Sequence, residues 1–494
     1  MKKLNIAVWN CGLIAKPIVK FIDIIKDKNI NLSVICSTSF ERKTIREIVS
    51  QDVEDVISVS DVYDDFWKDY KKLDYEKVLN TAKKNEAKYD VRFIEIIKAD
   101  RHMGRAFVKG GWYPRSLFSE ELEYIHYVEI VNKSLVFFDD FFSKNKIDLI
   151  HLEVASLNAK VACVVARFYG IKIRIPHPSR VDKKFFFSQN EFIEYPNLEV
   201  DYKKFLEKLS KDVDINKMQS KESYQLAITE ISNYLDYRSL FFTLKNILRQ
   251  ILVHLYKKII GNKKYSPYFI SDKLKAVWKY HRGIKEADKQ SYPKLNEYLQ
   301  KKFVFYPMQL EPESATMVMT PEFDSQLHLI HLLSSNLPVD WTLIIKEHPL
   351  ALGTRPLGFI EQINSYPNVK LVNPYESAKA WSLNSKAVAM INGSVGYEAA
   401  FAGIPIISFG QYNLISMLKY VFTVDSHKTV RDSISKINLE KIPNQKNREL
   451  EGLALENALK KNSFSLDAES FYNNDVSIDS KEMITFVNEL ISSI

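Results

Sequence analysis

The sequence predicts an α/β protein with two sheet-containing domains and a helical, lysine-rich segment between them. Three observations carry this. Strand-like and helix-like runs alternate up to about residue 190 and alternate again, with cleaner signals, from Lys302 onward. The intervening stretch, about 200 to 300, is nearly free of glycine and has apolar residues at helical spacing. A chain of 494 residues also exceeds what one core usually organises. The expected parts are an N-terminal domain over 1–195, a helical basic connector over 196–300, a C-terminal α/β domain over 301–425 and a helical segment over 426–494.

In the first domain, strands are expected at Asn5–Trp9, Leu32–Ser37, Leu149–Glu153 and Ile171–Ile175, with helices such as Ile18–Lys26 and Asn158–Tyr169 between them. The stretch from Ile147 to Pro176 reads as a compact βαβ unit in which Gly170 stops the helix. Alternation of this kind implies parallel sheets with both faces covered. In the C-terminal domain the order is strand Phe303–Tyr306, helix Ser325–Ser335, strand Trp341–Lys346, strand Val369–Val372, helix Ser377–Ser385, strand Ala387–Ile391, a helix around Tyr397–Ala402, and strand Ile404–Ser408. Every dense polar motif there follows the carboxyl end of a strand, where open parallel sheets bind ligands.

Composition excludes several classes. The hydrophobic content of 46% and charged content of 26% are those of a globular protein. The three cysteines, Cys11, Cys36 and Cys163, show no metal-ligand or disulfide spacing, so reduced thiols are expected. The apolar N-terminal run is broken by Asn5, Asn10 and Lys16 and reads as a first strand rather than a signal peptide. No segment has the roughly 18 apolar residues a membrane span needs. A cytoplasmic protein is expected, with the inner membrane face as a candidate address. The net charge of +8 gathers in the middle segment, around Lys257, Lys258, Lys263, Lys264, Lys273, Lys275 and Lys279. Leu240 to Ile260 there is either a helix on an anionic membrane surface or one packed at a domain junction. No nucleic-acid module accompanies these lysines.

Three constellations point to an anionic ligand. KEHP (Lys346, Glu347, His348, Pro349) leaves the apolar strand WTLII. Lysine and histidine there can donate to phosphate oxygens, and Pro349 fixes the turn. NGSVGYE, from Asn392 through Gly393 and Ser394 to Glu398, lies between a buried strand and a helix. Glycine admits a close anion, the helix's first N–H groups point at it, and Glu398 can accept from ribose hydroxyls. YPMQLEPES leaves the domain's first strand and brings Gln309, Glu311, Glu313 and Ser314 as contacts for a sugar or base. For each, a solvated turn is the bland alternative; their recurrence on one sheet favours a site. The first domain offers Arg180 as a further contact and Asp182, Asp100 and Glu153 as candidate catalytic carboxylates.

YPMQLEPES, Gln326 in the next helix, KEHP and NGSVGYEAAFAGIPII together resemble the bacterial capsule polysaccharide biosynthesis proteins, a group that includes CMP-Kdo-dependent transferases. The HP pair and serine-bearing helix start are also similar to bacterial sialyltransferases. The resemblance covers about residues 302 to 410. It implies a GT-B-like fold, two Rossmann-like domains whose sheets face across a cleft, with the donor nucleotide in the C-terminal one. It further implies Lys346 and His348 on the phosphate of a CMP-linked donor, Ser394 completing that site, and Glu398 on the ribose. No metal or other cofactor is implied, and the partners are a nucleotide sugar and a glycan or lipid-linked acceptor. Where relatives carry an Asp/Glu-Asp/Glu-Gly motif, this chain has His177-Pro178-Ser179-Arg180-Val181-Asp182, so the acid falls to Asp182, Asp100 or Glu153. The alternatives are a UDP-sugar transferase, a UDP-GlcNAc 2-epimerase-like enzyme, and a non-catalytic scaffold of a capsule assembly complex.

Overall fold

The computed structural model describes residues 3–10, 29–37, 39–49, 53–99, 122–182, 184–195, 197–212, 239–259, 270–311, 313–323, 325–352, 355, 358–465 and 481–492. The expected helix over 18–26, Cys11 and the candidate acid Asp100 lie outside them. Two compact units emerge, each α/β. Unit 1 gathers Met1–Asp100, Glu121–Leu198 and Leu459–Ile494, and unit 2 holds Arg101–Glu120 and Glu199–Ala458. The stretch 426–494, read as one helical segment from the sequence, is therefore shared between them.

Unit 1 has a seven-stranded sheet: β1 (Leu4–Asn10), β2 (Ile30–Cys36), β3 (Asp55–Ser58), β4 (Leu149–His151), β5 (Lys172–Pro178), β6 (Lys184–Ser188) and β13 (Phe464–Ser465), in the order β13-β6-β5-β4-β1-β2-β3. The strands from β3 to β5 pair in parallel, as the alternation predicts. β6 and β13 depart from that, both pairing antiparallel. β6 is antiparallel because HPSRVDKK makes a tight reversal, with Arg180 at φ 65° and Asp182 at φ 48°. The last helix, Lys481–Ser492, places Phe486, Val487 and Leu490 in the same core as Ile6, Val8, Val34 and Leu149. Cys36 and Cys163 are buried thiols, and burial pushes Cys36 up to about 12.

Unit 2 has a six-stranded sheet that is parallel throughout. Its strands are β7 (Lys302–Pro307), β8 (Trp341–Lys346), β9 (Val369–Val372), β10 (Ala387–Met390), β11 (Ile406–Ser408) and β12 (Val421–Thr423), in the order β12-β11-β10-β7-β8-β9. Read from the first strand outward, the chain adds β8 and β9 on one side, then returns to add β10, β11 and β12 on the other. That is the doubly wound order, with its reversal between β7 and β10. Two such Rossmann-like units in one chain are the GT-B-like composition that the motifs implied. The strands read as continuous apolar runs because helices cover both faces. On one face Leu343, Ile345, Ala389 and Ile391 pack with Leu329 and Leu333 of the helix Gln326–Ser334. On the other, Trp381 packs against Phe303 and Phe305.

The helical middle is observed as Leu198–Asp212, Leu240–Ile259 and Ile270–Asp288. Among the described residues no helix is long and apolar enough to cross a membrane.

Candidate functional site

In a doubly wound sheet the carboxyl ends of the strands on either side of the reversal, here β7 and β10, are where ligands bind. The three sequence motifs all leave strands at this edge of unit 2: YPMQLEPES from β7, KEHP from β8 and NGS from β10.

The β7 loop is pinned first. Gln326 faces back from its helix, accepting the Tyr306 hydroxyl at 3.1 Å and the Gln309 backbone N–H at 2.7 Å and donating to the Gln309 carbonyl at 2.9 Å. This holds Gln309 so close to the β10 loop that a Cβ on Gly393 would stand 2.4 Å from the Gln309 amide nitrogen. An alanine there would displace the end of the Gln309 side chain.

The β8 loop is tied to both neighbours by buried charge. Lys346 is buried and donates to the Pro374 carbonyl at 2.7 Å, bracing the β8 exit against the segment after β9. Burial brings its ammonium down to about 8, Glu347 and Glu376 opposing that, so it remains charged at neutral pH. Glu347 is buried and accepts from Arg355 Nε and Nη2, each at 2.8 Å. Arg355 also donates to Glu311 at 2.6 Å and to the Gln309 carbonyl at 2.7 Å. One guanidinium therefore clamps the β7 and β8 loops together, and its acidic partners outweigh burial and hold it firmly protonated.

His348 is half-buried, and burial brings its imidazole down to about 4, with Lys346 and Arg355 pushing the same way. At neutral pH it is a neutral ring with one N–H donor. Pro349, also half-buried, opens the short helical turn Pro349–Ala351 that follows.

In the β10 loop, Asn392 is buried. With its amide oriented to satisfy both ends, it donates to the carbonyls of Ile391 at 3.1 Å and Tyr412 at 3.2 Å and accepts the Thr320 hydroxyl at 2.9 Å. Gly393 is the N-cap of the helix Ser394–Phe401 and gives no side-chain cap. Ser394 is thus the first helical residue, half-buried. Glu398 lies one turn on, half-buried, its carboxyl pushed up by burial against a smaller lowering by Lys379.

The predicted residues therefore divide. Lys346, Glu347, Asn392 and Glu311 brace the loops, whereas His348, Gly393, Ser394, Glu398 and Gln309 lie in the three loops or the helix that follows β10. Glu313 is half-buried in the β7 loop beside Ser314, which starts the short helix Ser314–Met317. Arg355 escaped the sequence reading. Its one signal was a lone cation in the loop ALGTRPLG, and a partner in another loop cannot be read from spacing.

A cavity of unit 2 lies to the β8–β9 side, where Met308, Glu347, Leu371 and Pro374 face Ala287 and Gly283 of the helix Ile270–Asp288. It is mostly apolar and lies beside the Arg355 clamp.

In unit 1, β5 runs on through His177, which is buried against Phe186 and whose imidazole burial brings down to about 3. Arg180 and Asp182 occupy the exposed β5–β6 turn, where Asp182 pairs with Lys460 at 3.3 Å. They lie in the hairpin turn that leaves β5, which is parallel to β4 and antiparallel to β6. Glu153 leaves β4, beside β1, at the reversal of unit 1's own sheet, and is half-buried.

Comparison with known proteins adds the following. The model of a family described as capsule polysaccharide biosynthesis protein matches residues 193–415. No curated protein matches. Among solved structures, UDP-GlcNAc 2-epimerase from Methanocaldococcus jannaschii, in complex with UDP-GlcNAc and UDP, is similar at 12% identity, covering 91% of this chain and 98% of that one with a TM-score of 0.28. A glycosyltransferase from Rickettsia africae is similar at 8% identity over 100% of both chains, with a TM-score of 0.27. UDP-GlcNAc 2-epimerase from Neisseria meningitidis, bound to UDP-GlcNAc, is similar at 10% identity over 100% of both chains, with a TM-score of 0.25. At such TM-scores these structures carry no argument about donor or activity. The family match does bear on the motifs, since residues 193–415 contain all three loops of the crevice, and over that span the chain matches the capsule polysaccharide biosynthesis family its motifs resemble.

Proposed function

We propose that this chain is a glycosyltransferase of surface polysaccharide assembly that binds a CMP-activated sugar, Kdo or a related acidic sugar, at the β7–β10 crevice of unit 2. The observation that carries this reading is the convergence of three polar loops at the reversal point of a doubly wound sheet. The family match over residues 193–415 supports the polysaccharide context.

In this reading the donor phosphate rests on the N–H groups that open the helix Ser394–Phe401, with Ser394 adding a hydroxyl. Neutral His348 donates its N–H to a phosphate oxygen. Lys346, held behind the loop, contributes charge rather than contact. Glu398 accepts from the ribose hydroxyls. In the reaction the bond between the sugar's anomeric carbon and the phosphate oxygen breaks, and the nucleotide departs with that electron pair. The positive field of helix start, Lys346 and His348 stabilises it. The acceptor oxygen bonds to the anomeric carbon and its proton passes to a carboxylate.

The test is an activity assay with CMP-Kdo or CMP-sialic acid and a lipid-linked glycan acceptor, following CMP release. Acceptor-dependent release, lost in His348→Ala, supports the assignment. Conversion of UDP-GlcNAc to its 2-epimer without acceptor would replace it with an epimerase, and binding of nucleotide without turnover would replace it with a scaffold.

A further inference from the structure

The helix Leu240–Ile259 presents two unlike faces. On one, Thr243 is fully buried and Asn246 and Ile247 are half-buried, where the helix packs against Ile270–Asp288. The other carries Phe241, Leu244, Leu248, Leu252 and Leu255, which are 78%, 51%, 57%, 57% and 48% exposed. Their spacing of three and four residues sets all five on one stripe, ~21 Å long at 1.5 Å per residue. Tyr256, 65% exposed, borders it. Lys245 and Arg249 stand exposed along one flank. Lys257 and Lys258 follow in the last turn, and no acidic residue occurs between Leu240 and Lys264.

An apolar stripe of this length on a helix that carries only positive charge has the chemistry of a segment lying in a lipid headgroup layer. Self-pairing through the stripe would bring Lys245 and Arg249 of two copies together with no carboxylate on the helix to offset them. An anionic lipid surface answers both features, taking the leucines into the acyl boundary and the cations onto phosphates. We propose that this face docks unit 2 onto anionic membranes. The proposal is independent of what the β7–β10 crevice binds.

The test is co-flotation of the purified full chain with phosphatidylcholine vesicles, with and without phosphatidylglycerol. The wild type is expected to float with the anionic vesicles at low salt and to be released at high salt. Leu248→Glu/Leu252→Glu and, separately, Lys245→Glu/Arg249→Glu are each expected to weaken binding by about tenfold or more. All four positions are exposed, so melting temperature and nucleotide-induced shift should stay as in the wild type. Failure of the wild type to float with anionic vesicles, or floating that neither variant reduces, overturns the proposal. So does a concentration-dependent dimer abolished by the leucine variant in a chain that ignores vesicles, which would assign the stripe to a second copy.

Discussion

Arg355 grips Glu347 with two N–H···O bonds of 2.8 Å each, between side chains that are each 8% exposed. The same guanidinium holds Glu311 and the Gln309 carbonyl, so the shape of the crevice rests on a charge outside the sequence motifs. Removing one partner of such a pair leaves the other charge buried and unanswered. Arg355→Ala is expected to lower stability by about 3–5 kcal/mol and to abolish nucleotide binding. Arg355→Lys should restore only part of either, because an ammonium cannot make the paired fork. Urea melts with a nucleotide titration check both, and a wild-type response in Arg355→Ala would show that the loops do not depend on the clamp.

The two loop glycines should fail differently. A Cβ at Gly393 meets the end of the flexible Gln309 side chain at 2.4 Å, whereas one at Gly410 meets the Ile391 backbone carbonyl at 2.2 Å. Gly393→Ala is expected to weaken nucleotide binding with a small loss of stability, because Gln309 can swing aside. Gly410→Ala has no such exit and should cost about 1–3 kcal/mol of stability. Thermal melts and nucleotide titrations of both variants separate the cases, and the reverse ranking would contradict this geometry.

Asn392 and Ser394 are close in sequence yet have opposite assignments. Asn392→Ala removes a hydrogen-bond partner from the Ile391 and Tyr412 carbonyls and from the buried Thr320 hydroxyl and should cost about 1–3 kcal/mol of stability. Ser394→Ala removes no cap and should leave stability within about 0.5 kcal/mol, but it should weaken phosphate-bearing ligands by about 0.5–1.5 kcal/mol. A Ser394→Ala variant that melts early yet binds normally would reassign the serine to structure.

Acid should destabilise the protein before its carboxylates titrate. Burial holds His151 at about 4, His177 at about 3 and His348 at about 4, all below the ordinary histidine value near 6.5. Between about 6.5 and 4 the unfolded chain therefore binds protons that the folded chain does not, and stability falls as pH falls. Each such histidine adds ~1.4 kcal/mol per pH unit to that slope. Stability measured by urea at pH 7.5, 6 and 5 in the wild type and in His177→Gln should show the variant's slope reduced by about one proton. An unchanged slope would mean that His177 charges freely in the folded state.

Much of this arrangement was legible in the sequence because strand ends in a parallel sheet are abrupt. WTLIIKEHP changes from apolar to polar at the residue where β8 ends, and Trp341–Lys346 was read with the bounds the structure has. The apolar run Ala387–Ile391 before NGS located β10 in the same way. What stayed hidden depended on partners distant in the chain. Lys346 and Glu347 look like ligand contacts in isolation, and only the folded chain reveals Pro374 and Arg355 opposite them. The antiparallel β6 hung on left-handed backbone at Arg180 and Asp182, which no glycine in the sequence announces. Nor does anything local to Phe464 tell that it pairs with Phe185 to extend the first sheet.

The most direct test of the account is calorimetric titration of the purified full chain with CMP, CDP, UMP, UDP and GDP, repeated on His348→Ala. The account predicts binding of CMP in preference to the others, weakened in His348→Ala while the melting temperature of the unliganded variant stays near that of the wild type. Preference for UDP would contradict the CMP donor, and no binding of any of the five nucleotides would contradict the assignment of the β7–β10 crevice as a donor site.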